Sequence, residues 1–389
     1  MTKEELQGFI KEIVGAEIND IWKQQNETQQ KWIEKILADQ RRQEQKTEKP
    51  NVGRLIRALA AGKGDPEKAA AWAKKQWNDE TIVKALQSDE GSTGGYLVPE
   101  EYSTELIEYL RPLSVVRRMN PTVVPMNTGT LSMSAMTGGA SAEYIGEGSN
   151  VSTSQPTLGQ VKLTWKKLGC LVPISNDLIR FSTPSADDVV RNDLAGAMAQ
   201  REDAAFIRDD GTNDKPKGIY GWVANANKFD ANGTVNLANV TTDLGKAILA
   251  LREAETLFLR PGWLISARTE FYLVTLRDSN GNYAFKDEMA TGKLYGFPFA
   301  VTTQIPDNLG DSENESEVYL VDFVDAVIGE SSQVEIEVST EAAYYDGSSV
   351  VSAFSLDQTV LRAISRHDFA MRRSTSGSVI EAVTWGASA

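Results

Sequence analysis

One histidine, His367, and one cysteine, Cys170, are all that this chain of 389 residues offers to imidazole or thiol chemistry. A Ser-His-Asp triad would have to be built on His367, since the base must be a group poised near neutral pH. That residue sits in ISRHDFAMRR, an apparent strand of alternating polarity, and the alternation predicts that it faces solvent. Cys170 is flanked by Leu168, Leu171 and Val172 and reads as a small buried hydrophobe. One cysteine permits no intramolecular disulfide, and no His/Cys pair has zinc spacing. There is no GxxxxGK[ST] phosphate loop and no GxGxxG after a strand.

The acidic pairs Asp187-Asp188 and Asp209-Asp210 carry the hard oxygens that a divalent cation takes. The first pair falls in the opening turn of a helix, where carboxylates complement the dipole in any case. The second opens a loop, and both read as structural. Arg372-Arg373 is short and has no interleaved aromatics on which bases could stack. No catalytic, cofactor-binding or metal-binding residue is assigned, no cofactor is expected, and an enzyme reading would rest on His367 alone.

The bulk properties are ordinary for a soluble globular protein. Hydrophobic residues make up 41% and charged residues 24%, so the chain can fill two or three cores. Residues 1–90 hold 16 basic and 16 acidic side chains, whereas 91–389 hold 24 and 38 and carry the whole net charge of −14. An acidic body repels nucleic acid, which is held mainly by Lys and Arg neutralising phosphates. MTKEELQGFI lacks the basic and apolar regions of a signal peptide, and no apolar run reaches the ~18–20 residues that span a bilayer, so a cytoplasmic place of assembly and no membrane are expected.

The elements that must position these residues begin with a helix. Over residues 1–45, Leu6, Phe9, Ile10, Ile13, Val14, Ile18, Ile21 and Trp22 make one apolar stripe, which suits another copy of itself. Helices are predicted at 52–61 and, after the Asp65-Pro66 cap, through Trp77. Residues 78–95 read as an exposed linker, so the first 90 residues form a helical appendage separable from the rest.

From Gly95 the sequence is mixed. A helix is expected within 100–118 and extended chain over 122–136. A long hairpin runs from Thr130–Met136 to Val161–Val172, around the Gly- and Ser-rich stretch 138–157 that has little to bury. With arms of ~12 residues at ~3.3 Å each it projects on the order of 40 Å. A long helix follows over 186–208, and further helices over 243–259 and 269–276. Strands are expected at 263–266, 296–303, 318–330, 333–339, 358–370 and 378–385, without a regular βαβ repeat, which makes the class α+β. A projecting hairpin, an extended arm and a self-associating appendage are all parts that reach a neighbour.

Several stretches resemble the tailed-bacteriophage major capsid proteins of the Hong Kong 97 type: STGGYLVPEEYSTELIEYLRPLSVVRRM (92–119), KKLGCLVPISNDLIRFSTP (166–184), DDGTNDKPKGIYG (209–221), RPGWLISARTEFYLVTLRDSNGNYAF (260–285) and LYGFPFAVT (294–302). The resemblance runs in order from about residue 50 to the C-terminus. It implies a capsid fold divided into a helical scaffolding segment at 1–90, which a phage protease removes in many members, an N-arm at 91–137 and an extended loop at 138–168. It further implies a peripheral domain at 169–220 plus 345–389, with a spine helix, and an axial domain at 221–344.

The function so implied is a shell of hexamers and pentamers of this chain, enclosing double-stranded DNA without specific binding. The N-terminal segment would act as internal scaffold in the procapsid. Prohead protease, portal and decoration proteins would be partners, and the virion capsid the location. An encapsulin-like compartment shell is the alternative, disfavoured by the long N-terminal segment. Some members weld the shell by a Lys–Asn isopeptide bond assisted by a carboxylate. Here GEGSNVSTSQPT has no Lys, no Asn follows Asn314, and Ile364, Ser365 and Arg366 stand where an acid would be expected, so no autocatalytic cross-link is expected.

Overall fold

The computed structural model describes residues 52–77, 80–87, 96–97, 113–126, 128–138, 157–177, 185–254, 256–331 and 334–387. The expected helix over 1–45 and the tip of the hairpin lie outside the described residues, as does most of the helix expected within 100–118.

Three helices open the described chain: α1 (Val52–Ala61), α2 (Pro66–Trp77) and α3 (Glu80–Gln87). Asp65 caps α2 as expected, its Oδ1 accepting from the backbone N of Glu67 at 3.0 Å and of Lys68 at 3.3 Å. α3 falls where a linker was expected, because Ile82 and Leu86 are one helical turn apart and both buried.

The next elements are β1 (Tyr96–Leu97), the short helix α4 (Val115–Arg118), β2 (Thr122–Pro125), β3 (Thr130–Gly138), β4 (Thr157–Thr164) and β5 (Lys166–Ser175). The long helix α5 spans Ser185–Arg208, 24 residues or about 36 Å at 1.5 Å per residue. After it come α6 (Ile219–Trp222), β6 (Lys228–Asp230), α7 (Leu237–Glu253), β7 (Pro261–Ile265), α8 (Ala267–Thr275), α9 (Lys286–Ala290), β8 (Lys293–Leu294) and β9 (Phe297–Val301). The chain closes with β10 (Ser316–Asp322), β11 (Ala326–Glu330), β12 (Glu335–Ser339), β13 (Ala343–Tyr345), β14 (Val350–Ser352), β15 (Gln358–Met371) and β16 (Gly377–Val383).

α7 starts six residues before the expected position. Asn236 caps it by accepting from the backbone N of Asn239, and the helix stops at Glu253, leaving Leu257 and Leu259 in an exposed connection.

Two six-stranded sheets organise these elements. In the first, β15 is the axis. β5 pairs along one edge, from Gln358↔Ser175 to His367↔Lys166. β11 and β12 follow one another along the other, and β2 and β1 extend the sheet outward. The second has the order β6-β16-β10-β7-β9-β8.

The run expected as one strand over 318–330 is two, one in each sheet, because the chain turns at Phe323–Asp325. The expected division is redrawn accordingly. β11 and β12, counted with the axial part, belong to the first sheet, and β16, counted with the peripheral part, belongs to the second.

Beside that turn the chain passes between sheets a second time, at residues 372–376. The two passages are bonded to each other: Asp322 N donates to Ser376 O at 2.9 Å, and Arg372 N to Asp325 O at 2.7 Å. Asp325 accepts from Arg373 Nε at 2.8 Å and from the Ser376 hydroxyl.

The core has matching parts. One cluster packs α1, α2 and α3 against α5 and the face of the first sheet. The expectation of an appendage separable up to residue 90 therefore does not hold for 52–87. Val52–Ala389 forms one compact unit, because Leu55, Ile56, Ala58, Leu59 and Ala60 of α1 are apolar and must be covered. A second cluster, with Phe206, Tyr319 and Phe369, fills the junction of the two sheets. A third, with Trp263, Leu320 and Trp385, fills the second sheet and its helices.

Candidate assembly surfaces and a buried clamp

The residues singled out for chemistry are not brought together. His367 is 4% exposed, not solvent-facing as its alternating neighbours suggest. β15 is covered on both faces here, so alternation in sequence does not become alternation in burial. Its ring lies 5.2 Å from Phe206, edge to face. Burial holds its pKa below the ordinary 6.5, with Glu202 opposing and Arg117 reinforcing. Cys170 is half-buried on β5, and burial raises its thiol pKa. Asp209 pairs with Arg201 at 2.6 Å, and Asp210 holds its own turn by accepting from Thr212 N at 2.9 Å. Arg373 is committed to Asp325. Asp187 and Asp188 lie in the first turn of α5, as expected. Among the described residues no group of His, Cys, Asp and Glu could hold a metal ion.

A pocket of about 540 Å³ lies between α1–α2 and the outer end of the first sheet, with Lys63, Trp72, Asn176, Phe354 and Asp357 in its lining. Its polar groups satisfy one another: Asn176 donates to Asp357 at 2.5 Å and accepts from the Thr359 hydroxyl at 2.6 Å.

What the structure does build is a buried clamp that the sequence did not announce. Arg117, on α4, donates from Nε to Glu202 at 2.5 Å and from Nη1 to Glu330 at 2.6 Å. Burial alone would pull its pKa down, but the two carboxylates outweigh burial and hold it above the ordinary value. The neighbouring Asp203 accepts from the Ser114 hydroxyl at 2.7 Å and from the backbone N of Val115 and Val116 at 2.7 and 3.0 Å. Burial still raises its pKa, against those three bonds. Three distant parts of the chain thus meet: the segment entering β2, the C-terminal third of α5, and β11. Arg117 and Glu202 look like surface helix residues in sequence, and the one available signal was the paired acids Glu202-Asp203 amid Ala and Phe.

The surfaces that remain open are apolar in places. Among the described residues β3 and β4 pair only with each other, from Thr130↔Thr164 outward. Leu131, Met133, Val161 and Leu163 fall on one face at the base, where Leu163 is fully buried beside Met126, Val327 and Ala370. Asp368 ties that base down by accepting from Thr164 N at 2.8 Å. At the outer end of the first sheet, the β13–β14 hairpin and the turn after it expose Tyr345, Val350, Phe354 and Leu356, with Phe354 79% exposed. On the second sheet's side Leu249, Leu257, Leu259 and Phe271 are exposed. Groups of exposed large apolar side chains mark contact surfaces more often than chance. No helix among the described residues is long and apolar enough to cross a membrane.

Comparison with known proteins matches these features. The model of the phage capsid family aligns with residues 94–380. A major capsid protein of Klebsiella oxytoca phage phiKO2 is 38% identical over 323 residues, covering 82% of this chain and 75% of that protein. A capsid polyprotein of Pseudomonas phage PAJU2 is 25% identical over 329 residues, covering 78% of this chain but 47% of the polyprotein, about half its length. Among solved structures, a chain from Mycobacterium phage Adephagia superposes with a TM-score of 0.54 at 18% identity, covering 69% of this chain and 89% of that one. The capsid of a native GTA particle gives 0.54 at 16% identity, with the same coverage. At such identities the structures speak to the fold alone.

Proposed function

The chain belongs to the phage capsid family, and on that premise we propose that copies of it close into the icosahedral head shell of a tailed phage, as hexamers and pentamers around double-stranded DNA. Its fold is of the Hong Kong 97 type and its homologues are structural proteins. We assign the first sheet with α5 to the peripheral domain, the second sheet to the axial domain, and β3–β4 to the extended loop. The observation that carries this reading is the β3–β4 hairpin, whose strands have no other partner among the described residues. An arm anchored at its base by Asp368 and Leu163, and unpaired along its edges, is suited to lie on a neighbour.

Modest contacts made to several neighbours at once hold a shell, because each tether raises the effective concentration of the next. The acidic body confines DNA without adsorbing it, and the N-terminal segment, net neutral, acts as internal scaffold in the procapsid. Prohead protease, portal and decoration proteins are the proposed partners, and assembly takes place in the host cytoplasm. The chain performs no catalysis in this reading.

Electron microscopy of the expressed full chain tests it. Closed shells of uniform size support it, and small monodisperse oligomers at every concentration tried end it. Shells filled with host enzyme would shift the assignment to a compartment.

A further inference from the structure

We infer that residues 52–87 are a permanent layer of the shell domain, and that any removable or scaffold-only portion of this chain ends before Val52. The inference rests on the shell reading above and narrows its scaffolding segment.

Six consecutive residues of α1, Leu55 to Ala60, are all buried, with none above 7% exposed. A helix buried on every side is a core helix, not a surface attachment. It shares one core cluster with Leu194 and Met198 of α5, Val172 and Ile174 of β5, Ile336 of β12 and Leu361 of β15. These are the inward residues of the spine helix and first sheet. Without α1 they would form a contiguous apolar face open to water.

The turn after α1 is fitted to both sides. At Gly62 an added Cβ would lie 2.6 Å from the backbone N of Ala69 in α2. Gly64 has φ +80°, and an added Cβ there would lie 2.9 Å from the carbonyl oxygen of Val338 in β12. Arg57 is packed over the rings of Trp72 and Trp77, at 5.6 and 4.6 Å from their centroids. Close backbone fits and a buried cation over two touching indoles are features of a folded core, and a segment meant to leave has no use for them.

Trypsin digestion of assembled full-length particles, followed by intact mass, tests this. Cleavable sites stand on both sides of the boundary: Arg41, Arg42 and Lys46 before it, and Arg54, Arg57, Lys63, Lys68, Lys74, Lys75 and Lys84 within 52–87. The expected protected subunit begins before Val52 and keeps every site in 52–87. A protected subunit beginning after Lys84, in particles that stay closed, overturns the inference, as would that start in the subunit of mature virions.

A Leu59→Asp substitution in the full chain gives an independent reading. At least a tenfold loss of closed particles is expected, and an unchanged yield overturns the inference. Should the wild-type chain form no particles, the shell reading falls by itself, and digestion of the soluble chain still decides whether 52–87 is protected.

Discussion

Arg117 and Glu330 are 213 residues apart in sequence and 2.6 Å apart in the fold. With Glu202, whose side chain is 2% exposed, they form an ion triad that is largely buried, Glu330 lying at its edge with 12% of its side chain exposed. Its importance lies less in net stabilisation than in the cost of breaking it.

Replacing Arg117 by Met leaves two carboxylates buried without a cation. The expected loss is ~3–5 kcal/mol of unfolding free energy, read from denaturant midpoints. A triple variant, R117M with E202Q and E330Q, should recover most of it, since no buried charge is then uncompensated. A single variant as stable as the wild type would show that the triad is hydrated in solution.

His367 gives a pH dependence whose sign follows from its depressed pKa. The neutral ring contributes stability above 6.5, and that contribution fades as pH falls through 6.5 and is gone below the folded-state value. Asp203, Glu317 and Asp368 act oppositely: burial raises their pKa values, so the folded state gains on them as pH falls. The histidine is isolated by comparison with H367Q. Between about pH 7.5 and about 5.5 the wild type should lose stability relative to the variant, and parallel profiles would place the imidazole in contact with solvent.

Asp325 gathers Arg373, Ser376 and the backbone N of Arg372 at the passage between sheets, the last through its own carbonyl. D325A removes the carboxylate and strands the guanidinium and the hydroxyl. The expected cost is ~1–3 kcal/mol. D325N should fall between, because an amide oxygen still accepts one of the bonds. Equal midpoints for all three proteins would contradict the role.

Mature particles boiled in detergent should run as one band at the subunit mass. The tip sequence has no Lys and no Asn follows Asn314. Arg366 is held by Glu335 at 2.6 Å, and Asp368 is occupied by the backbone N of Thr164 and Phe369. A ladder of covalent multimers would refute the absence of a weld.

Much of the architecture was legible where local signals are strong. Asp65-Pro66 announces α2, and Thr183-Pro184 precedes α5 within a residue of its observed start. Apolar spacing alone puts the start of α7 too late, because Asn236 caps the helix ahead of the regular apolar run. VYLVDFVDAVIG hides a turn, since buried strands in two sheets read as one apolar run when only Asp322 and Asp325 interrupt it. The alternating neighbours of His367 mislead for a related reason: β15 is central, and a pattern of polarity reports burial only where one face is wet. The clamp was invisible because it joins residues whose sequence neighbours say nothing about each other.

The paired passages at 322–326 and 371–377 make the two sheets parts of one continuous ribbon, since β10 and β16 pair antiparallel on one side of it and β11 and β15 on the other. Backbone bonds cross between the two passages, so neither sheet can swing away from the other without breaking one of them beside Asp325. A push on one sheet is therefore handed to the other through the main chain as well as through Phe206, Tyr319 and Phe369.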